Sequence, residues 1–450
     1  MKTTFFVFVV IFLVGLSGPA FAAETDADAE RYWPRWRGPH DNGVSPSGDP
    51  PIEWSETKNV RWKVAIPGEG SGSPIVWGDR IFVTSAIDTG ETDGAPAEAE
   101  PSSAPRGRRR GPPNVSTSNL FSYDVFALRR SDGEILWRRT ARREKPHEGR
   151  HPTGTYASNS AITDGKRLYA YFGSRGLYAY DLDGELLWEK DLGEMRTRFS
   201  FGEGSSPALW GDTLVVIWDH EGNSFIVALN TETGEELWRV DREEQTSWTT
   251  PLILDSGDGV QVVTTATRQT RSYDLETGEL LWAARGVTNN AIPTPVEANG
   301  IVYVTSGFMG NALRAYRLTD ALASGPDGAT PIWEYDQDTP YVSSPLLYDG
   351  RLYFLKSNNA VLSVLDADTG EPVYTRQRVE GLTNVYSSLV GAAGRLYITD
   401  RKGHTVVIKS GDEYEVLASN TLDDAFDASA AIVDNEIYLR GANLYCIASD

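Results

Sequence analysis

Asn230-Thr231-Glu232-Thr233-Gly234-Glu235-Glu236-Leu237-Trp238 and Asp274-Leu275-Glu276-Thr277-Gly278-Glu279-Leu280-Leu281-Trp282 are one pattern written twice, with the two tryptophans 44 residues apart. The glycine permits the positive φ of a tight hairpin, and the apolar residues after it open a strand. Shorter forms end two earlier units, Gly133-Glu134-Ile135-Leu136-Trp137 and Gly184-Glu185-Leu186-Leu187-Trp188. Trp333 and Tyr374 hold the equivalent place later, with Leu417 a weaker match. One large ring at the same point in successive units argues for docking between neighbours rather than generic core filling.

Working outward, the units begin around Ser73-Pro74, Asn159-Ser160, Ser206-Pro207, Thr250-Pro251, Thr294-Pro295, Ser344-Pro345, Ser388-Leu389 and Ser429-Ala430. From Pro207 the steps are 44, 44, 50, 44 and 41 residues. Each unit then holds a short apolar strand, a Gly-Asp-like turn, a second and a third strand, and the Leu-Trp strand. Four strands at a period in the forties predict an all-β fold, an eight-bladed β-propeller of four-stranded antiparallel blades. The last unit, 430–448, lacks its own Leu-Trp strand, whereas Val60-Arg61-Trp62-Lys63-Val64 is such a strand left over at the beginning. Pairing strand 60–64 with the C-terminal blade closes the ring and satisfies both open sheet edges. The expected organisation is 1–22 as signal peptide, 23–56 as an N-terminal extension and 57–450 as propeller.

Residues Phe5 to Leu16 are almost wholly apolar and are followed by the small-residue pattern Ala20-Phe21-Ala22, as in a cleaved secretory signal. Such a run is too short for a membrane-spanning helix. The expected destination is the periplasm or cell envelope, with no transmembrane segment in the mature chain. No cysteine near the cleavage point offers a lipid anchor, and the only cysteine, Cys446, excludes an intrachain disulfide. A formal charge of −21 repels phosphate backbones, so nucleic acid is not expected as a partner. Residues 88–120, rich in Gly, Pro, Ala, Glu and Arg and containing Arg106-Gly107-Arg108-Arg109-Arg110, read as a disordered insertion in the first blade.

The Asp/Asn-x-x-Thr-Gly-Glu-x-Leu-Trp runs resemble those of the pyrroloquinoline-quinone-repeat propellers over nearly all of residues 57–450. The pattern is also similar to the eight-bladed lipoprotein of the outer-membrane barrel-assembly machinery, which shares the repeat and binds no quinone. The resemblance implies the fold; it leaves chemistry open. Quinone enzymes of this type seat their cofactor in the central channel on a tryptophan, with calcium held by carboxylate and amide oxygens and commonly a disulfide of neighbouring cysteines above the ring. One cysteine rules out that disulfide. Trp248 could imitate the floor, and Glu203, Asn289 and Asp219 could offer calcium oxygen ligands. None matches the family motif residue by residue, so no cofactor is assigned, and pyrroloquinoline quinone with calcium stands as the alternative.

With strands A to D numbered outward from the channel, the A-strand starts and B–C loops share one face, which carries the longer and more varied segments. Glu69, Tyr156, Glu203, Trp248, Asn289, Tyr341, Tyr386 and Asp427 enter the A strands there, one per blade, and the B–C loops add Asp219, His220, Arg268, Phe308, Lys356 and Arg401. Of these, Glu203, Asp219, His220, Trp248, Arg268, Asn289, Tyr341, Tyr386 and Asp427 are the candidate ligand or partner contacts. His147-Glu148-Gly149-Arg150-His151 has the spacing of a zinc-protease helix, but Pro146, Gly149 and Pro152 deny it the helix that chemistry needs. No metal ligands or catalytic residues are assigned. The expected function is a noncatalytic scaffold that binds an envelope protein or polysaccharide, with a setting in outer-membrane protein assembly. A quinone- and calcium-dependent alcohol or sugar dehydrogenase is the first alternative. The second is a carbohydrate-binding propeller using Tyr156, Trp248, Tyr341 and Tyr386 as platforms. Tyr32-Trp33-Pro34-Arg35-Trp36-Arg37-Gly38-Pro39 is expected to pack under the ring as a clasp.

Overall fold

Strands such as Arg167–Tyr171 and Ile301–Ser306 carry almost no charge and many β-branched or aromatic residues, the composition of a strand covered on both faces. Alternation divides them between two neighbours. Leu168 packs into the apolar cluster shared with blade 1 and Tyr169 into the one shared with blade 3; Val302 and Tyr303 divide in the same way between blades 4 and 6. The core is therefore a ring of inter-blade layers rather than one central mass.

The structure, a computed structural model, describes residues 30–92 and 114–449. They form eight four-stranded antiparallel sheets. The innermost strands, A, are Ile75–Trp77, Ile162–Thr163, Ala208–Trp210, Leu252–Asp255, Val296–Ala298, Leu346–Tyr348, Val390–Ala392 and Ala431–Val433 for blades 1 to 8. The outermost strand of blade 8 is Val60–Ala65, paired with Asn443–Ala448 so that Trp62 faces Cys446 and Val64 faces Leu444. The ring closes through the chain's two ends, as the leftover half-unit requires. Cys446 is fully buried there, and burial pushes its thiol up to about 12, which leaves it unreactive.

The repeat motif has a local and an inter-blade reason. Asp274 Oδ1 accepts the N–H of Glu276 and both the N–H and hydroxyl of Thr277, at 3.1, 2.8 and 2.8 Å, which caps the turn. At Gly278, φ is +75°, and a Cβ would lie 2.7 Å from the Trp238 ring of the preceding blade. Trp238 Nε1 then donates to Leu275 O at 2.8 Å. The same seat recurs for Trp62 on Gly133, Trp137 on Gly184, Trp188 on Gly234 and Trp333 on Gly370. Trp282 departs from it. Blade 5 replaces the hairpin by a helix, Leu318–Ser324, so Trp282 has no glycine to lie on and donates to Gln261 Oε1 within its own blade at 3.0 Å.

The Ser/Thr that opens each A strand closes a second ring. The N–H groups of Ser73, Ser160, Ser206, Thr250, Thr294, Ser344, Ser388 and Ser429 each donate to the hydroxyl of the next residue in that series, and Ser429 returns to Ser73. Eight hydrogen bonds of 2.9–3.3 Å thus girdle the channel.

The leader packs against the opposite face. Trp33, wholly buried, exchanges backbone hydrogen bonds with Val76 of blade 1. Arg37, also buried, donates to Pro345 O, Leu389 O and Asn42 O at 2.7, 3.0 and 2.9 Å, and Trp54 N donates to Asn420 Oδ1 at 2.7 Å. The first blade differs from expectation at its hairpin: strands run over Arg80–Thr92 and Asn119–Arg129, so both ends of the stretch 88–120 are ordered ladder, with Asn119 Nδ2 bonded to Asp88. The rest of that insertion, with its arginine cluster, and the leader segment 1–22 lie outside the described residues. Among the described residues no helix is long and apolar enough to cross a membrane.

Candidate functional site

The A-strand starts and the links leading into them surround a pit of about 450 Å³ at the channel mouth. Its floor is reached by Ser160, Ser206, Ser388 and Ser429 of the hydroxyl girdle and by Trp36 of the leader, whose Nε1 donates to Ser429 Oγ at 3.4 Å. The leader thereby contributes a side chain to the floor of the pit.

Its walls are aromatic. Trp248 enters from blade 4, its Nε1 donating to Gly202 O at 2.7 Å, which fixes the indole in the wall. Phe308 and Tyr341 stack with centroids 4.7 Å apart and planes at 23°. Tyr386 lies under the Arg401 guanidinium at 4.5 Å, and Arg401 in turn donates to Asp427 Oδ2 at 3.0 Å. Phe199 and Phe201 come from the link between blades 2 and 3, where Phe199 and Ser200 both adopt left-handed backbone, φ +56° and +52°. Two consecutive non-glycine residues in that region are strained, and strain of this kind gathers at binding sites.

The polar groups of the pit are few and mostly committed. Glu203 accepts from the N–H and hydroxyl of Ser174 at 2.6 and 2.5 Å, and it lies so close over Gly173 that any Cβ there would collide with it. Burial pushes its carboxyl up, opposed by the Ser174 hydrogen bonds. Burial likewise raises Asp427, opposed by Arg401, and lowers His151, aided by the Arg401 charge. Asn290, 2 % exposed and at φ +53°, donates from Nδ2 to Tyr341 Oη at 3.4 Å while its Oδ1 has no partner.

Of the residues singled out from the sequence, the pit brings together Glu203, Trp248, Tyr341, Tyr386 and Asp427. Four others fall elsewhere. Asp219 is sealed between blades 3 and 4, bound by Arg242 through both oxygens at 2.8 and 3.0 Å and by Ser247 at 2.8 Å. His220 is buried as a loop brace, Nδ1 accepting Arg196 N–H at 2.9 Å and Nε2 donating to Asn223 O at 3.1 Å; burial lowers its basicity. Arg268 is exposed outside the pit, tied through its backbone N–H to Glu244. Asn289 is displaced by one position, since it is Asn290 that turns into the wall. Missed altogether were Asn290, Phe199, Phe201 and the part of Trp36 in the floor, for these sit in irregular links with no repeat to mark them.

His147, Glu148 and Glu203 bring ligand-type atoms within 4.8 Å of one another beside the pit. His147 Nδ1 accepts Arg175 Nη2 at 2.7 Å, so its proton sits on Nε2, which donates to Met195 O at 2.6 Å. A guanidinium on one nitrogen and a proton on the other are opposite to what a metal-bound imidazole requires. His147 and His151 stand in a loop, as the flanking prolines predict. The quinone and calcium set fits no better: Asp219 is locked to Arg242, Asn289 is off the wall, and Glu203 has both oxygens on Ser174.

An eight-bladed propeller with an aromatic-walled pit on its loop-rich face defines the class. A family model described as outer membrane protein assembly factor BamB matches at residues 48–217, 122–244, 222–324 and 293–449, and the chain belongs to that family. BamB from Moraxella catarrhalis is similar in structure at a TM-score of 0.52 and 15 % identity, over 74 % of this chain and 92 % of that one. A quinohemoprotein alcohol dehydrogenase from Comamonas testosteroni aligns at a TM-score of 0.58 and 10 % identity, over 95 % and 84 %. A europium-containing methanol dehydrogenase aligns at 0.50 and 11 %, over 86 % and 91 %. At these identities the neighbours share the fold alone. No curated relative matches the chain.

Proposed function

We propose that the chain is an exported, noncatalytic scaffold of the cell envelope that holds a macromolecular partner on its loop-rich face, with part of that partner seated in the pit. The aromatic pit carries this reading: rigid rings supply contact area at low entropic cost, while Asp427 is paired with Arg401 and Glu203 with Ser174. The family's description as an outer-membrane protein assembly factor supplies the setting. Immobilised full-length protein is expected to retain a macromolecular fraction of an envelope extract. The double variant Trp248→Ala/Tyr386→Ala should retain at least about fivefold less, as loss of central aromatic anchors does. Equal retention by the variant would sink the reading. The dehydrogenase alternative predicts calcium-dependent heat on titration with pyrroloquinoline quinone; none is expected, because the calcium oxygen set is not assembled.

A further inference from the structure

Resting on the scaffold reading, we propose that the partner is a protein and that the pit takes an aromatic side chain from one of its loops, with an acidic residue beside that ring held by Arg198 at the rim.

The rim calls for a macromolecule. Phe199 and Met309 are 51 % and 77 % exposed, and both stand in left-handed backbone at φ +56°. Phe199 lines the pit, and Met309 follows Phe308, which lines it too. Neither side chain gains burial in return for its strained backbone, so folding alone gives no reason to hold them outward. A surface laid across the mouth would cover both. Aromatic rings, methionine and arginine together are what protein interfaces enrich. A free small molecule would settle between the walls and leave Phe199 and Met309 wet.

The walls call for a ring. Trp248, Phe201, Tyr386 and the Phe308–Tyr341 stack line about 450 Å³, space for side chains rather than for a folded element. A guest ring extends a set of ring-on-ring contacts already present.

Charge calls for an acid next to that ring. The Arg198 N–H is fixed on Thr246 Oγ1 at 2.8 Å, while its guanidinium lies 5.4 Å from the centre of the Phe199 ring and has no acidic partner among the described residues. Burial raises the Tyr341 hydroxyl, and the Arg198 charge is among the influences opposing it, so the cation stands within reach of the wall. The neighbouring charges are engaged: Asp427 faces Arg401, Glu203 lies on Ser174, and Arg150 holds Glu69 at 2.8 Å. A formal charge of −21 repels a polyanion or an anionic membrane. A lone carboxylate answers instead to the charges within a screening length, about 8 Å at physiological salt.

The test measures anisotropy of labelled, end-capped peptides with the full chain: Gly-Glu-Trp-Glu-Gly, its Gln-Trp-Gln and Lys-Trp-Lys counterparts, and Glu-Ala-Glu. The acidic aromatic peptide is expected to bind below about 1 mM, the glutamine form about fivefold more weakly, and the lysine and alanine forms not measurably. Arg198→Gln should bring the first two within about twofold of each other, whereas Trp248→Ala should weaken both about tenfold. Met309→Asn, a residue suited to left-handed backbone, should weaken both about threefold without touching the pit wall. Absence of binding by the acidic aromatic peptide at about 5 mM, equal affinity of the glutamic and glutamine forms, or an acid preference that survives Arg198→Gln would overturn the proposal. So would Arg198-dependent sedimentation with phosphatidylglycerol vesicles in place of peptide binding, which would make the partner a lipid surface. Should the peptides fail while Trp248→Ala/Tyr386→Ala still abolishes retention of an envelope fraction, the acidic aromatic loop is refuted and the scaffold stands. If both fail, both readings fall.

Discussion

Glu203 shows what a single residue costs and what it does. Its carboxyl forms one wall of the pit, and burial raises its pKa against the hydrogen bonds of Ser174. A carboxyl raised above its unfolded value of 4.5 adds stability that is present below that pH and is lost as pH rises through the folded pKa. Glu148, raised by burial as well, adds the same slope from the neighbouring loop, and the imidazole of His147 opposes it at Glu203. Glu203→Gln keeps an acceptor for Ser174 and removes the charge. The variant should melt above wild type at pH 7–8, and the gap should shrink toward zero near pH 4. Melting temperatures across that range decide it; a constant gap would show that folding does not shift the carboxyl, and one that grows toward acid would show that the carboxylate, not the acid, is the favoured form.

At the scale of elements, the Gly-Trp seat separates two penalties that a turn glycine usually confounds. Gly278 and Gly350 both lie near φ +70°, but a Cβ at Gly278 meets the Trp238 ring at 2.7 Å while at Gly350 it meets nothing within 4 Å. Gly350→Ala should cost only the left-handed backbone, about 1–2 kcal/mol. Gly278→Ala should add displacement of an inter-blade indole, about 1–3 kcal/mol more. Denaturant titration of the two variants measures the difference, and equal losses would mean that the tryptophan contact contributes nothing. This seat was legible in the sequence because repetition exposes whatever every blade needs. The same is true of the hydroxyl that opens each A strand, though its closed hydrogen-bonded ring emerges only when eight copies are brought together. The site was legible only where the repeat pointed to it. Trp248, Tyr341 and Tyr386 sit two or three residues before that hydroxyl and were found; Phe199 and Phe201 hang on a strained link that occurs once, and Asn290 differs from Asn289 by a single left-handed residue. Asp219 and His220 looked available because a B–C loop is usually wet, and the Arg242 that seals Asp219 comes from the far end of another strand of the same blade.

For the whole molecule, the leader and the closing strand are adjacent in sequence and do different work. Residues 33–54 reach blades 1, 2, 6, 7 and 8 from below, through Trp33 on Val76, Pro34 O on Thr163 N, Arg37 on Pro345 and Leu389, and Asp49 on Asp434. They complete no sheet. Val60–Ala65 completes blade 8 and so the ring. A chain starting at residue 57 should keep its β-sheet content and one cooperative transition. It would lose two buried tryptophans, Trp33 and Trp54, and the Arg37 hydrogen bonds, on the order of 10 kcal/mol, which for a protein of this size corresponds to about 10 °C. It would also lose Trp36 and with it part of the floor, so whatever the pit holds should bind more weakly while the aromatic walls remain. A chain starting at residue 67 loses the closing strand as well and leaves Asn443–Ala448 as an open edge. That protein should unfold in more than one step or associate through the edge, which calorimetry and sedimentation would register. If the two truncations behaved alike, closure of the ring through Val60–Ala65 would be dispensable, and the leader rather than the last blade would be what holds the propeller shut.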